Sequence, residues 1–102
     1  MYKVIFAVSL LLAFQPISAA TGKHIYKKEC ANCHGKHGEK HALGISRPIH
    51  GMKYKKSMAM ISAYAGGKQH TSSMVKGVKR HFLKKHTAQE VESVSRYIET
   101  LK

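Results

Sequence analysis

The residues with the most chemistry in this 102-residue chain stand together, as Cys30-Ala31-Asn32-Cys33-His34. No other cysteine occurs in the sequence. Two thiols three positions apart on a helical turn can each add to one vinyl group of a haem. A histidine beside the second thiol is then held under the iron, where its imidazole can bind. C-x-x-C-H is the signature of that covalent attachment. A shift of one residue would misplace either a thioether or the ligand.

Other readings of these side chains compete. Cysteines outside the cytoplasm usually oxidise, and a Cys30–Cys33 disulfide would suggest a thioredoxin-like exchanger. That motif should follow a strand in a βαβ pattern, and none is visible. Cys30, Cys33, His37 and His41 offer four zinc donors, but the interval between the pairs is far shorter than finger-type spacing. Most of the eight histidines read as ordinary surface residues of a basic protein.

Helices must position this motif, because no alternation of β-branched residues marks a sheet. The first helix is expected from Thr21 or Gly22 toward the cysteines. A second is expected over Lys53 to Ala65, where Met58, Ile61 and Ala65 fall at helical spacing and Gly66-Gly67 is a stop. The third is announced by a capping box, Thr87-Ala88-Gln89-Glu90. Val91, Val94, Ile98 and Leu101 then form one apolar stripe. Gly35 to Gly51 and Lys68 to Lys85, rich in Gly, His and Lys, read as loops. A chain with this much loop and no tryptophan needs something central to pack against.

The amino-terminal stretch reads separately. Met1-Tyr2-Lys3 is a short positive start, Val4 to Phe14 is apolar but for Ser9, and Gln15-Pro16 breaks the run before Ser18-Ala19-Ala20. This is the layout of a signal peptide over residues 1–20, too short to span a bilayer. The remaining domain, residues 21–102, is expected to be exported to the periplasm and not to span the membrane. Its charge is strongly basic, with 18 Lys and Arg against 5 Asp and Glu over the whole chain. That speaks of partners more than of fold. Export and the haem motif argue against nucleic acid as the partner.

Several segments together resemble the class I c-type cytochromes, in particular the small soluble bacterial monohaem members. Gly22-x-x-Ile25-Tyr26-x-x-x-Cys30-x-x-Cys33-His34-Gly35, followed by Gly38, resembles the opening helix and attachment site. Arg47-Pro48-Ile49-x-Gly51 resembles the mid-chain proline segment. Met74, with Val78-Lys79 after it, resembles the methionine loop, and Val91 to Leu101 the final helix. The resemblance implies an all-α fold, three to five helices wrapped around one covalently attached haem c. In it Gly22 lets the first and last helices cross closely, and Tyr26 packs with Val94 and Tyr97. The Pro48 carbonyl accepts the free ring N–H of His34.

It also implies iron ligation by His34 and Met74. Met58 and Met60 suit an apolar helix face, and Met52 lies just after the proline segment. His70, His81 or His86 are the alternatives if the segment Val75 to His86 is rearranged. A His/Met pair leaves no open coordination position, which suits electron transfer. A monomeric electron carrier, not an enzyme, is therefore expected. The alternative is a haem protein with an open or labile sixth site that binds a small gas or acts on peroxide. Lys36, Lys40, Lys76 and Lys79 are expected around the haem edge, facing acidic docking surfaces on respiratory complexes or a periplasmic peroxidase.

Overall fold

The structure is a computed structural model and describes residues 19–44 and 46–102. The expected signal peptide lies outside these residues except for Ala19 and Ala20, which begin the first helix. The described residues form helices and no strand: α1 (Ala19–Glu29), α2 (Ala31–His34), a short 3-10 turn (Ala42–Gly44), α3 (Tyr54–Ala65), α4 (Ser73–Lys85) and α5 (Ala88–Thr100).

α5 forms as its sequence dictates. The Thr87 hydroxyl accepts from the Glu90 N–H (3.1 Å), and the Glu90 carboxylate accepts from the Thr87 N–H (2.9 Å). Two of the free N–H groups at the helix start are thereby satisfied. The stripe Val91, Val94, Ile98 and Leu101 is buried along its whole length. It meets Ile25 and Tyr26 of α1 and Phe82 of α4 in a single core. α3 packs on both α4 and α5.

The α1–α5 crossing rests on Gly22. A Cβ built there would lie 2.2 Å from the Ser93 carbonyl oxygen and 2.6 Å from its carbon. Both are backbone atoms, so no side chain can swing away. Next to this contact Tyr26 and Val94 are fully buried, and the Tyr26 and Tyr97 rings lie 5.5 Å apart at 52°. Gly22→Ala should therefore force the two helices apart. The expected loss is about 2–3 kcal/mol, the upper part of the range for overpacking, read as a lower midpoint in urea unfolding. A midpoint equal to that of the parent chain would show that the crossing tolerates a methyl group.

One expectation is corrected. Residues 73–85, read as loop within Lys68 to Lys85, form the 13-residue helix α4. Its Gly77 and its many cations gave a loop-like composition. The helix is nonetheless well specified: the Ser72 hydroxyl accepts from the Val75 N–H (3.3 Å), and Val75, Val78 and Phe82 recur on one side. Lys84 and Lys85 in the last turn complement the helix dipole. The expected methionine loop is accordingly the first turn of a helix.

Candidate functional site

α1 ends at Glu29, and the chain turns at Cys30 into the single turn of α2. There the N–H groups of Cys33 and His34 both donate to the Cys30 carbonyl (3.3 and 3.0 Å). This places Cys30, Cys33 and His34 on one turn. The chain leaves it through Gly35 at φ +89°, a conformation that L side chains rarely adopt. The Gly35 carbonyl accepts the buried Tyr26 hydroxyl at 2.6 Å. Tyr26 thus ties the turn to the α1–α5 core. Burial, followed by the nearby Cys30 and Glu39, pushes its hydroxyl up to about 12, so it remains a donor.

Cys30, Cys33 and His34 line a cavity of about 460 Å³, a typical size for a small-molecule or cofactor site. Leu43 and Ala42 from the 3-10 turn, Tyr64 from α3, and Met74, Val75, Val78 and Lys79 from α4 complete much of the wall. Leu43, Met74 and Val78 are large apolar side chains at least half exposed, and all three border this one cavity. Leu43 holds a left-handed backbone (φ +56°), which costs a non-glycine residue about 1–3 kcal/mol.

The donors fit a haem c. The two cysteines are not bonded to each other, so both thiols remain for thioether formation. The Cys30 thiol is pushed up to about 11, mainly by burial, with Lys79 opposing. His34 is pulled down to about 4 by burial and then by the Lys79 ammonium. Its ring is therefore neutral, the form that binds metals. His34 Nδ1 is buried without a hydrogen-bond partner, a costly state for a polar atom. An apolar cavity with two thiols and an under-satisfied imidazole on one turn is the donor set that covalent haem attachment needs.

The structure places the other expected residues unevenly. Of the methionines in the described residues, only Met74 borders the cavity; Met52 and Met58 pack against the core. The expected bond from His34 to the Pro48 carbonyl is not made. The Pro48 segment is tied elsewhere: Ile49 N–H donates to the Gly38 carbonyl (2.9 Å) and Gly51 N–H to the Ile98 carbonyl (3.1 Å). His70 borders the cavity, and His81 lines a smaller crevice beside it. Lys79 is in the wall, whereas Lys36, Lys40 and Lys76 are not. The Lys76 ammonium lies against Gly67. Among the described residues no three His, Cys, Asp or Glu side chains converge as a metal ion would require, so Cys30, Cys33, His37 and His41 do not assemble the zinc set.

His86 is held away from the cavity between two carboxylates. Its Nε2 meets Glu29, and its Nδ1 lies 3.5 Å from Glu90, with the Phe82 ring tilted against it at 4.6 Å. Lys85 reaches the other Glu29 oxygen at 3.4 Å. Sequence reasoning missed this cluster, because its members are 57 residues apart. It fastens the residue before Cys30 to the joint between α4 and α5. Burial alone would raise the Glu29 carboxyl, but hydrogen bonds from His86 and Lys85 outweigh it and hold the group below its usual 4.5. The stability this lends is present above the unfolded value and lost as pH falls through the folded one. Melting temperature should therefore drop below about pH 4.5, and Glu29→Gln should flatten that drop. An identical acid limb in the variant would exclude Glu29 as its source.

Comparison with known proteins agrees with this geometry. The family model for cytochrome c matches residues 19–102. The chain is 33% identical over 102 residues to cytochrome c-553 of Helicobacter pylori (strain J99 / ATCC 700824), covering all of both chains. It is 28% identical over 100 residues to cytochrome c-553 of Nitratidesulfovibrio vulgaris (strain DSM 19637 / Miyazaki F), covering 96% of this chain and 95% of that one. With two thiols and an imidazole on one turn of an all-helical domain, the chain belongs to the cytochrome c family, haem-based electron carriers.

Proposed function

We propose that this protein is a periplasmic carrier of single electrons, with haem c bonded through Cys30 and Cys33 and its iron held by His34 and Met74. The observation that carries the reading is the single cavity bordered by both thiols, the neutral imidazole and one methionine. A bound haem c supplies a centre that changes oxidation state by one electron.

The rest is the work of the chain. Cys30 and Cys33 fix the cofactor on a turn that Tyr26 ties to the core. His34, kept neutral by burial, offers a ring nitrogen to the iron. Its Nδ1 has no partner within the chain; an acceptor at that atom would orient the ring and strengthen it as a donor. Met74 supplies a soft thioether that favours the reduced state. With His34 and Met74 both bound, the iron would keep no open position for a substrate, which suits a carrier and not an enzyme. Leu43 and Val78 present apolar surface to the cavity, which would help keep water from a bound cofactor.

The visible spectrum of the purified protein tests this reading. Sharp reduced bands, with a weak far-red thioether band in the oxidised form, are expected. A high-spin spectrum that shifts when carbon monoxide is added to the reduced protein would favour the open-site alternative.

The basic surface suits redox partners with acidic docking faces, such as respiratory complexes or a periplasmic peroxidase. Opposite charges would steer the encounter and raise its rate more than its affinity. Screening shortens from about 10 Å at 0.1 M salt to about 3 Å at 1 M. The second-order electron-transfer rate with an isolated partner should fall steeply over that range in stopped-flow mixing. A flat or rising rate would show that the basic surface is not the docking face.

A further inference from the structure

One cation in the cavity wall has no anionic partner. Lys79 borders the cavity together with Cys30, Cys33 and His34, and it is half-buried. The ion pairs among the described residues use Lys53, Lys85, His86 and Arg96, and none uses Lys79. Glu29, the one carboxylate in the same wall, is already met by His86 and Lys85. The cavity is therefore left with an uncompensated positive charge beside its metal-binding turn.

Among the described lysines only Lys76 and Lys79 are half-buried, and only Lys79 lines the cavity. Exposed cations such as Lys55 are screened by water and salt, whereas a charge in a partly dry wall acts over a longer range. We propose that Lys79 is a potential-setting residue, whose fixed charge in the cavity wall stabilises the reduced, less positive state of the bound cofactor. This rests on the haem site proposed above. A unit charge about 10–15 Å away, at an effective dielectric near 20, shifts a one-electron equilibrium by roughly tenfold. Partial exposure reduces this to about three- to tenfold, or about 28–59 mV at 59 mV per tenfold.

The midpoint potentials of the purified holoprotein and of Lys79→Arg, Lys79→Gln and Lys79→Glu decide the matter, with Lys55→Gln as the exposed control. Lys79→Arg should keep the potential, Lys79→Gln should lower it by an equilibrium factor of about three to ten, and Lys79→Glu should lower it further. Lys55→Gln should change it by less than about twofold. Visible spectra should stay the same throughout, showing that ligation has not changed. A purely structural role would not follow the sign of the charge. If Lys79→Glu does not fold, the Arg and Gln pair carries the test alone. Potentials within twofold of the parent for Lys79→Gln would overturn the proposal and leave the haem reading standing. A purified chain without covalent haem would overturn both.

Discussion

Replacing Cys30 and Cys33 together by alanine should leave a chain that binds no haem covalently and shows no cooperative thermal transition by far-UV circular dichroism. The physical reason lies in the balance of buried surface. The core of the described residues is one cluster of seven buried side chains, most of them from α1 and α5. The faces of α2, the 3-10 turn and α4 that border the cavity are the ones a bound haem would cover. A domain of this length has little stability to spare. Leu43, Met74 and Val78, all at least half exposed, would then lie in water and gain nothing from folding. A double variant that melts cooperatively at the temperature of the holoprotein would show that the helices hold themselves together.

The second large effect is expected at Met74. Met74→Ala should abolish the far-red thioether band and open the iron to imidazole or carbon monoxide. Met52→Ala should keep the band, because that side chain packs against the core. Met58→Ala should also keep it, at a cost of about 1–2 kcal/mol, below the range for a fully buried methionine because Met58 is only partly covered. Loss of the band in Met52→Ala but not in Met74→Ala would reassign the ligand. Survival of the band in both would turn attention to the remaining methionines, Met58 and Met60, whereas a low-spin parent protein that lacks the band would point to His70, which also borders the cavity.

The residues differ in how plainly they announced these roles. α5 was legible because two local signals agreed: a capping box at Thr87 and an apolar stripe in register behind it. The attachment turn was legible because its chemistry needs neighbours in sequence. Gly22 was legible only through family resemblance, since nothing local says which glycine meets another backbone. α4 was misread because lysine, glycine and histidine dominate its composition, although Ser72 and the Val75, Val78, Phe82 spacing specified it. Of the far wall of the cavity only Met74 and Lys79 were legible, and those through family resemblance. Leu43 and Tyr64 come from two separate elements, and the fold alone makes them neighbours. The Glu29, His86 and Glu90 cluster was hidden for the same reason.

The crossing of α1 on α5 bears on the order in which the molecule can be built. Gly22 meets Ser93, and Gly51 is tied to Ile98, so the beginning of the domain is supported by its very end. Contacts this distant along the chain are made late and slowly, after the entropy of closing a long loop has been met. A growing chain releases Cys30 and Cys33 long before Ile98 and Leu101 exist to hold α1 in place. For that interval both thiols stand on an open, pliable segment, within reach of any attachment machinery. Once the last helix docks, Cys30 withdraws into the wall and its thiolate becomes scarce. The architecture thus favours chemistry first and closure afterwards, with the final turn of the chain acting as the step that seals the product.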